Sequence, residues 1–433
     1  MNWKTEWKKL LIIIITFIVC FYLPIGTQRF DNAILESFHL IKWYTKEHVV
    51  FCLVPAFFIA GAIGVFINQS VVIRYLGSKT NKIIAYSIAS MTGTVLTVCS
   101  CTILPIFSGI YKKGAGLGPA ITFLYSGPAI NVLAIILTIK VFGIQLGIAR
   151  ALGAIFFSII IGIIMQVLFP KKENNAVEPI NNEAIKENSA LWKNSGFFIS
   201  LVGILVFANW IKPDGSTSGL WLAIYNYKWI ITLISALLLN SILVGCFHLS
   251  WWKMAISFAL IIVMAKLYPN QPIVPFVAGV LGLSVCISSS KNKLSDWFAE
   301  TWSFAKQMLP LLLLGVFMAG ILLGRVGHEG LIPAVWVTKV VGGNSLQANF
   351  FASFFGAFMY FATLTEIPII SALMNNGMGK GPALALFLAG PALSLPNMLV
   401  IRGVIGTQKT IVFTSLVIIM ATISGAIYGS FFG

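Results

Sequence analysis

The chain has 433 residues, of which 58% are hydrophobic and only 10% charged, with a mean hydropathy of +0.92. An average soluble domain carries about 25% charged residues, so a water-soluble globule is excluded. The apolar runs are also too long and continuous for a β-barrel, whose strands alternate over about 10 residues. The net charge of +16 does not point to nucleic acid: the basic residues are scattered through loops and helix ends, with no aromatic-interleaved basic stripe, and anionic headgroups account for them.

The expected fold is an all-α integral membrane protein, a polytopic helical bundle of about 11–13 spans. Lys4, Lys8 and Lys9 precede an apolar run from Leu10 to Leu23. No small-x-small cleavage site follows, and Phe17-Ile18-Val19 before Cys20 does not fit a lipoprotein signal, so an uncleaved first span is expected over 10–26. With no organelle-targeting pattern, the expected location is a prokaryotic inner (plasma) membrane. Residues 28–46, with Arg29, Asp31, Glu36, Lys42 and Lys46 among apolar side chains, read as an interfacial amphipathic helix. It completes a first unit, 1–46.

Residues 47–169 hold apolar runs at 47–68, 82–98, 115–142 and 144–169. A polar linker follows over 170–194, with Lys171, Lys172, Glu173, Glu178, Glu183 and Glu187. The central unit, 195–306, has runs at 195–211, 228–248, 253–268 and 272–288, then a surface helix over 290–306. The last unit, 307–433, has runs at 307–324, 345–362, 382–401 and 408–432. Trp251-Trp252 reads as a headgroup anchor. Cys20, Cys52, Cys246 and Cys286 are isolated within spans, where cysteine acts as a small hydrophobe. Cys246 and His248 lack a third ligand, so no metal site is expected, and no motif calls for a cofactor.

Part of the chain occurs twice. Residues 89–129 and 352–392 align without a gap at an offset of 263, with 15 identities in 41 positions. These include Pro105/Pro368, Gly114/Gly377, Gly116/Gly379, Gly118/Gly381, Gly127/Gly390 and Pro128/Pro391. Ala60-Gly61 and Ala319-Gly320 extend the match at an offset of 259. Gly and Pro at matching places inside two apolar segments predict paired, proline-broken helices or re-entrant hairpins, which in transporters surround the substrate. Basic residues do not orient the chain, being nearly equal on the two sides. The exchange of Lys112-Lys113 at one hairpin tip for Asn375-Asn376 at the other favours opposite membrane faces, hence inverted repeats.

In the first copy, Cys99, Ser100, Cys101 and Thr102 precede Pro105, which cannot donate to the carbonyl of Cys101. Freed carbonyls at membrane depth belong beside protein or a water-lined cavity. The return passes Ser126-Gly127-Pro128 to Asn131. In the second copy, Thr363, Thr365 and Glu366 precede Pro368, and the return passes Gly390-Pro391 to Asn397. Of the acidic residues, Glu366 alone falls inside an interrupted apolar hairpin, where an ionisable group costs at least ~2.5 kcal/mol and marks a functional site. Two-fold pseudo-symmetry would converge these thiol, hydroxyl, amide and carboxyl groups into one substrate site, with Glu366 as the proton-coupling group.

Cys99-Ser100-Cys101, Pro105, Gly114-x-Gly116-x-Gly118 and Ser126-Gly127-Pro128-x-x-Asn131 resemble the signature of the predicted-permease family that includes ArsP-type organoarsenical efflux proteins. Pro368, Gly377 and Gly390-Pro391 fit the same family. The resemblance implies a permease exporting a thiol-seeking solute such as a trivalent organoarsenical, for which a soft thiolate pair is suited. Gly-x4-Gly-Lys-Ser/Thr is absent, so secondary transport, not catalysis, is expected. The expected partners are the small-molecule or metalloid solute and the lipid bilayer, with homo-oligomerisation left open. Two other readings use the same residues: a membrane thiol–disulfide electron carrier through Cys99 and Cys101, and a soft-metal transporter.

Overall fold

The computed structural model describes residues 7, 10, 11, 13, 14, 17, 18, 21–67, 69–77, 80–96, 100–130, 132–170, 188–210, 220–247, 249–290, 293–325, 328–331, 340–359, 366–375 and 377–432. Residues 12, 15, 16, 19 and 20 of the first expected span, 10–26, lie outside them, as does most of the polar linker, 170–194. The described chain is helical apart from a two-residue antiparallel ladder, Gly324–Arg325 with His328–Glu329.

The first half runs through α1 (Gln28–Tyr44), a π-helical segment (Thr45–Leu53), α2 (Val54–Phe66), α3 (Gln69–Leu76), α4 (Lys82–Leu96), α5 (Ser100–Lys112), α6 (Leu117–Ala129), α7 (Val132–Phe142) and α8 (Ile144–Leu168). Central helices are α9 (Asn188–Ala208), α10 (Leu220–Gly245), α11 (Trp251–Leu267) and α12 (Ile273–Ser288). The chain ends with α13 (Lys293–Leu323), α14 (Leu346–Phe358), α15 (Glu366–Asn375), α16 (Lys380–Ala389), α17 (Leu395–Ile405) and α18 (Thr407–Phe432).

Among the described residues, five helical stretches are long and apolar enough to cross a bilayer: Val49–Phe66, Ile144–Leu168, Leu222–Gly245, Lys293–Leu322 and Thr407–Phe432. This is fewer than the apolar runs of the sequence. The runs 115–142 and 382–401 are each divided at their Gly-Pro pairs, into α6 and α7 and into α16 and α17. The expected surface helix over 290–306 is instead continuous with the following span, giving the 31-residue α13. α1 is amphipathic as expected, but its Ala33, Glu36, Ser37, Leu40 and Tyr44 are buried, and it packs on α13.

The interior is built from short helices. Every residue of α6 is buried, as are Gly381–Ala389 of α16, whereas α8 and α18 leave large apolar side chains outward. α6 packs between α4 and α8, α16 between α14 and α18, and α8 against α18. Tyr125 of α6 donates to the carbonyl of Leu388 in α16 at 3.0 Å. The central helices attach through an aromatic cluster of Phe58, Phe66, Phe197, Phe247 and Trp297. There the Trp297 indole N–H also donates to the Phe58 carbonyl at 2.8 Å. Pro55 has no N–H for the carbonyl of Phe51; that oxygen accepts from Asn209 Nδ2 at 2.8 Å, tying α9 to the π segment.

Two hairpin tips define the geometry of the broken segments. After α5, Gly114 takes φ +100° and the next turn brings the Gly116 N–H to the Leu76 carbonyl at 2.7 Å. After α15, Gly377 takes φ +98°; the Gly343 N–H donates to the Gly377 carbonyl and the Gly343 carbonyl accepts from the Gly379 N–H, each at 3.1 Å. A side chain rarely tolerates these left-handed angles. The tip after α5 therefore lies beside the loop that leads into α4, and the tip after α15 beside the loop that leads into α14. Each broken pair returns to the side from which it left.

The two tips lie at opposite ends of α18. Lys409, near its start, donates to Tyr111 beside the first tip at 3.4 Å, and the Phe432 carbonyl at its end accepts from Lys380 beside the second tip at 2.8 Å. A helix of this length is about 39 Å long.

The α6–α8 crossing is close: a Cβ on Gly118 would lie 2.8 Å from the Gly162 carbonyl oxygen. Gly118→Val should therefore cost about 1–3 kcal/mol through overpacking and lower the melting temperature of the solubilised protein. Gly153→Ala, whose new atom would meet Leu388 at an ordinary 3.4 Å, should leave it unchanged. Equal melting of Gly118→Val and wild type would contradict the crossing.

Candidate functional site

A buried ion pair inside the bundle joins its two halves. Glu366, the first residue of α15, accepts from Arg150 Nη2 at 2.5 Å, and neither side chain has more than 1% exposure. The other guanidinium nitrogen, Nη1, donates to Thr138 Oγ1 of α7 at 3.0 Å, and that hydroxyl donates in turn to the Ala134 carbonyl. The ring of Phe387 in α16 covers the guanidinium at 4.6 Å, a cation–π contact. Four helices thus meet at one charged point. Two atoms of it have no hydrogen-bond partner among the described residues: Arg150 Nε, a donor, and Glu366 Oε2, an acceptor.

The local chemistry follows from the helix starts. Pro368 sits in the first turn of α15, where a missing N–H removes no helical bond. The carboxylate of Glu366 at the same N-terminus meets the positive end of the helix dipole. At the start of α17, the Ser394 hydroxyl caps by accepting from the Asn397 N–H at 3.3 Å. The Asn397 side chain is buried and its Oδ1 has no partner.

The other sequence-predicted residues distribute as follows. Cys99, Asn131, Thr363 and Thr365 lie outside the described residues. Ser100 and Cys101 open α5, their side chains outside the description. Thr102 is buried, and its hydroxyl meets the Cys52 thiol at 2.6 Å. Ser126 is buried and bonds within its own helix, to the Phe123 carbonyl. Pro105 does not end a helix. It sits inside α5, leaving the Cys101 carbonyl without its usual amide partner. Gly127 and Pro128 lie in the last turn of α6, with the break immediately after them; Gly390 and Pro391 form the link between α16 and α17. The broken segments meet crosswise: α5 packs on α17, and α15 on α7.

Arg150, Thr138 and Phe387 were not singled out by the sequence. The signal for Arg150 was present: it is the lone charged residue in the 25-residue apolar run of α8, and a charge there makes a candidate site on the same ground as Glu366. Cys52, read as a small hydrophobe, instead stands against the helix that follows the Cys-x-Cys motif. Among the described residues, no group of three or more His, Cys, Asp or Glu side chains could hold a metal.

A polytopic helical protein with buried, interrupted helices and a buried ion pair joining its halves has the architecture of a membrane permease. The chain belongs to the predicted permease family ArsP_1, whose model matches residues 34–430. It is 38% identical over 399 residues to UPF0718 protein MJ0584 of Methanocaldococcus jannaschii, covering 92% of this chain and 96% of that one. Shorter similarities are to UPF0718 protein YraQ of Escherichia coli, 30% over 138 residues (31% of this chain, 36% of that one), and to a Streptococcus mutans protein described as a two-component membrane permease complex subunit, 31% over 140 residues (32% and 46%). No solved structure matches the chain.

Removing one partner of a buried ion pair strands the other charge, at a cost of about 3–5 kcal/mol, whereas replacing both is often neutral. Arg150→Met should therefore sharply lower the melting temperature, and Arg150→Met/Glu366→Leu should recover most of the loss. A double variant as unstable as the single one would argue against the pair.

Proposed function

We propose that the protein is a secondary permease of the prokaryotic inner membrane that exports a small thiophilic or metalloid-containing solute, such as a trivalent organoarsenical. Its site lies at the interface of two inverted repeats. The observation that carries this reading is the fully buried Arg150–Glu366 pair, which joins the first half to the interrupted hairpin of the second. Charges at membrane depth mark transport pathways by default.

Several features support the repeat. α7 and α8 recur at the offset of 263 as α17 and α18, beyond the segment where residue identities are frequent. The positive-φ glycines recur with them, Gly114 with Gly377 and Gly143 with Gly406. Tip hydrogen bonds repeat in register: Ala115 to Ile110 and Met378 to Leu373. The Tyr125–Leu388 bond joins two positions related by that offset, as contact across a two-fold axis requires. Tips at opposite ends of α18 favour inversion, and Lys112-Lys113 favours a cytoplasmic first tip.

Cys99 and Cys101 are the soft ligands of this reading, with Ser100, Thr102, Ser126, Asn131, Thr363, Thr365 and Asn397 lining the path and Glu366 exchanging the coupled proton. In everted vesicles, Cys99→Ser/Cys101→Ser should cut accumulation of a trivalent methylated arsenical at least tenfold. Glu366→Gln should abolish its dependence on an imposed pH gradient. Wild-type accumulation by the cysteine variant would remove the thiophilic solute, and a wild-type pH response of Glu366→Gln would remove proton coupling.

A further inference from the structure

The position-for-position counterparts of Glu366, Thr138 and Arg150, at the offset of 263, are Ile103, Ile401 and Phe413. All three are buried in the hydrophobic core. They lie on α5, α17 and α18, and α5 packs on α17 as α15 packs on α7. On the inverted-repeat reading, the same helix junction is therefore built twice, once with charge and once without. The apolar copy shows that packing at this junction needs no ion pair.

The charged copy is also left incomplete. Arg150 Nε and Glu366 Oε2 are buried without partners, and an unmet buried donor or acceptor carries its full desolvation cost. The pair itself is electroneutral. An anion would satisfy Nε but face the Glu366 carboxylate, and a cation would satisfy Oε2 but face the guanidinium. A hydroxyl both donates and accepts through one oxygen.

We propose that Arg150 and Glu366, with Thr138 fixing the guanidinium and Phe387 covering it, form a binding site for a neutral, hydroxyl-bearing solute, its hydroxyl donating to Glu366 Oε2 and accepting from Arg150 Nε. This rests on the permease reading and narrows its substrate class: the solute is taken as an uncharged hydroxide, not as an oxyanion or a metal cation.

Boric acid tests the pair without the cysteines, because it is a neutral hydroxide at pH 7 that does not react with thiols. Ligand-induced shifts in melting temperature of the purified full chain would be measured with boric acid, arsenous acid and arsenate. Both neutral hydroxides should raise the melting temperature and arsenate should not. Thr138→Ile/Arg150→Phe/Glu366→Ile, which copies the apolar junction, should fold and lose the boric acid shift. Glu366→Gln, nearly isosteric, should weaken boric acid binding at least tenfold, from a lower starting melting temperature because Arg150 is left unpaired; Arg150→Met/Glu366→Leu, which keeps neither charge, should lose the shift and covers the case in which the triple variant does not fold. No boric acid shift in wild type, an equal shift in Glu366→Gln, or a larger shift with arsenate would overturn the proposal. A boric acid shift alongside unimpaired arsenical export by the cysteine variant would instead overturn the thiophilic reading and leave this one standing.

Discussion

The Arg150–Glu366 pair is the contact on which the inner arrangement turns. A single charge inside an apolar bundle is costly, and its cheapest remedy is an opposite charge at hydrogen-bond distance. Because the two residues are 216 positions apart, that remedy fixes α15 of the second half against α8 of the first. Thr138 adds α7 and Phe387 adds α16. Non-directional packing could accommodate slippage among these helices, whereas a charged bond with fixed donor geometry does not.

A second constraint comes from the backbone. Breaking a helix frees carbonyl and amide groups that lipid cannot satisfy, so the breaks must lie inside protein. The burial pattern obeys this: α6 and α16, which end at the Gly-Pro pairs, are enclosed, while the unbroken α8 and α18 face outward. The freed groups find local partners. Ser394 caps α17, Asn209 takes up the Phe51 carbonyl, and glycines with left-handed angles turn each tip. A helix of 10–13 residues is about 15–20 Å long, too short to span a bilayer, so enclosure also explains why the inner helices need not.

Much of this was legible in the sequence because it rests on strong local punctuation. Gly and Pro at matched positions marked the breaks and tips, and the lone acid among apolar residues marked Glu366. What escaped was non-local. Arg150 lies in the longest unbroken apolar run of the first half, where average hydropathy hides one charge. Arg150 and its counterpart Phe413 lie beyond the aligned segments 89–129 and 352–392, so comparing the copies there did not reach them. Cys52 looked like filler because its partner, Thr102, is distant in sequence. Pro105 suggested a break at its own site, but α5 runs through it from Ser100 to Lys112. The surface helix over 290–306 was separated from its span on polarity alone, although no residue there stops a helix; α13 continues through it and through Pro310.

The inequality of the two junctions bears on how such a carrier would work. In an inverted-repeat transporter, the two states that open to opposite faces exchange the environments of equivalent positions. Chemically identical junctions would make those states equal in energy. On the proposed inverted-repeat reading, a junction of Glu366, Thr138 and Arg150 opposite one of Ile103, Ile401 and Phe413 would not do so, because the exchange would place charged groups where apolar ones stood. The charged junction would then bias the resting state without by itself setting the direction of transport, which a coupled gradient would supply. A solute that completes the unmatched donor and acceptor has differential affinity for the state presenting them, and differential affinity is what a ligand needs to shift a conformational equilibrium. Binding and gating would then reside in the same four side chains.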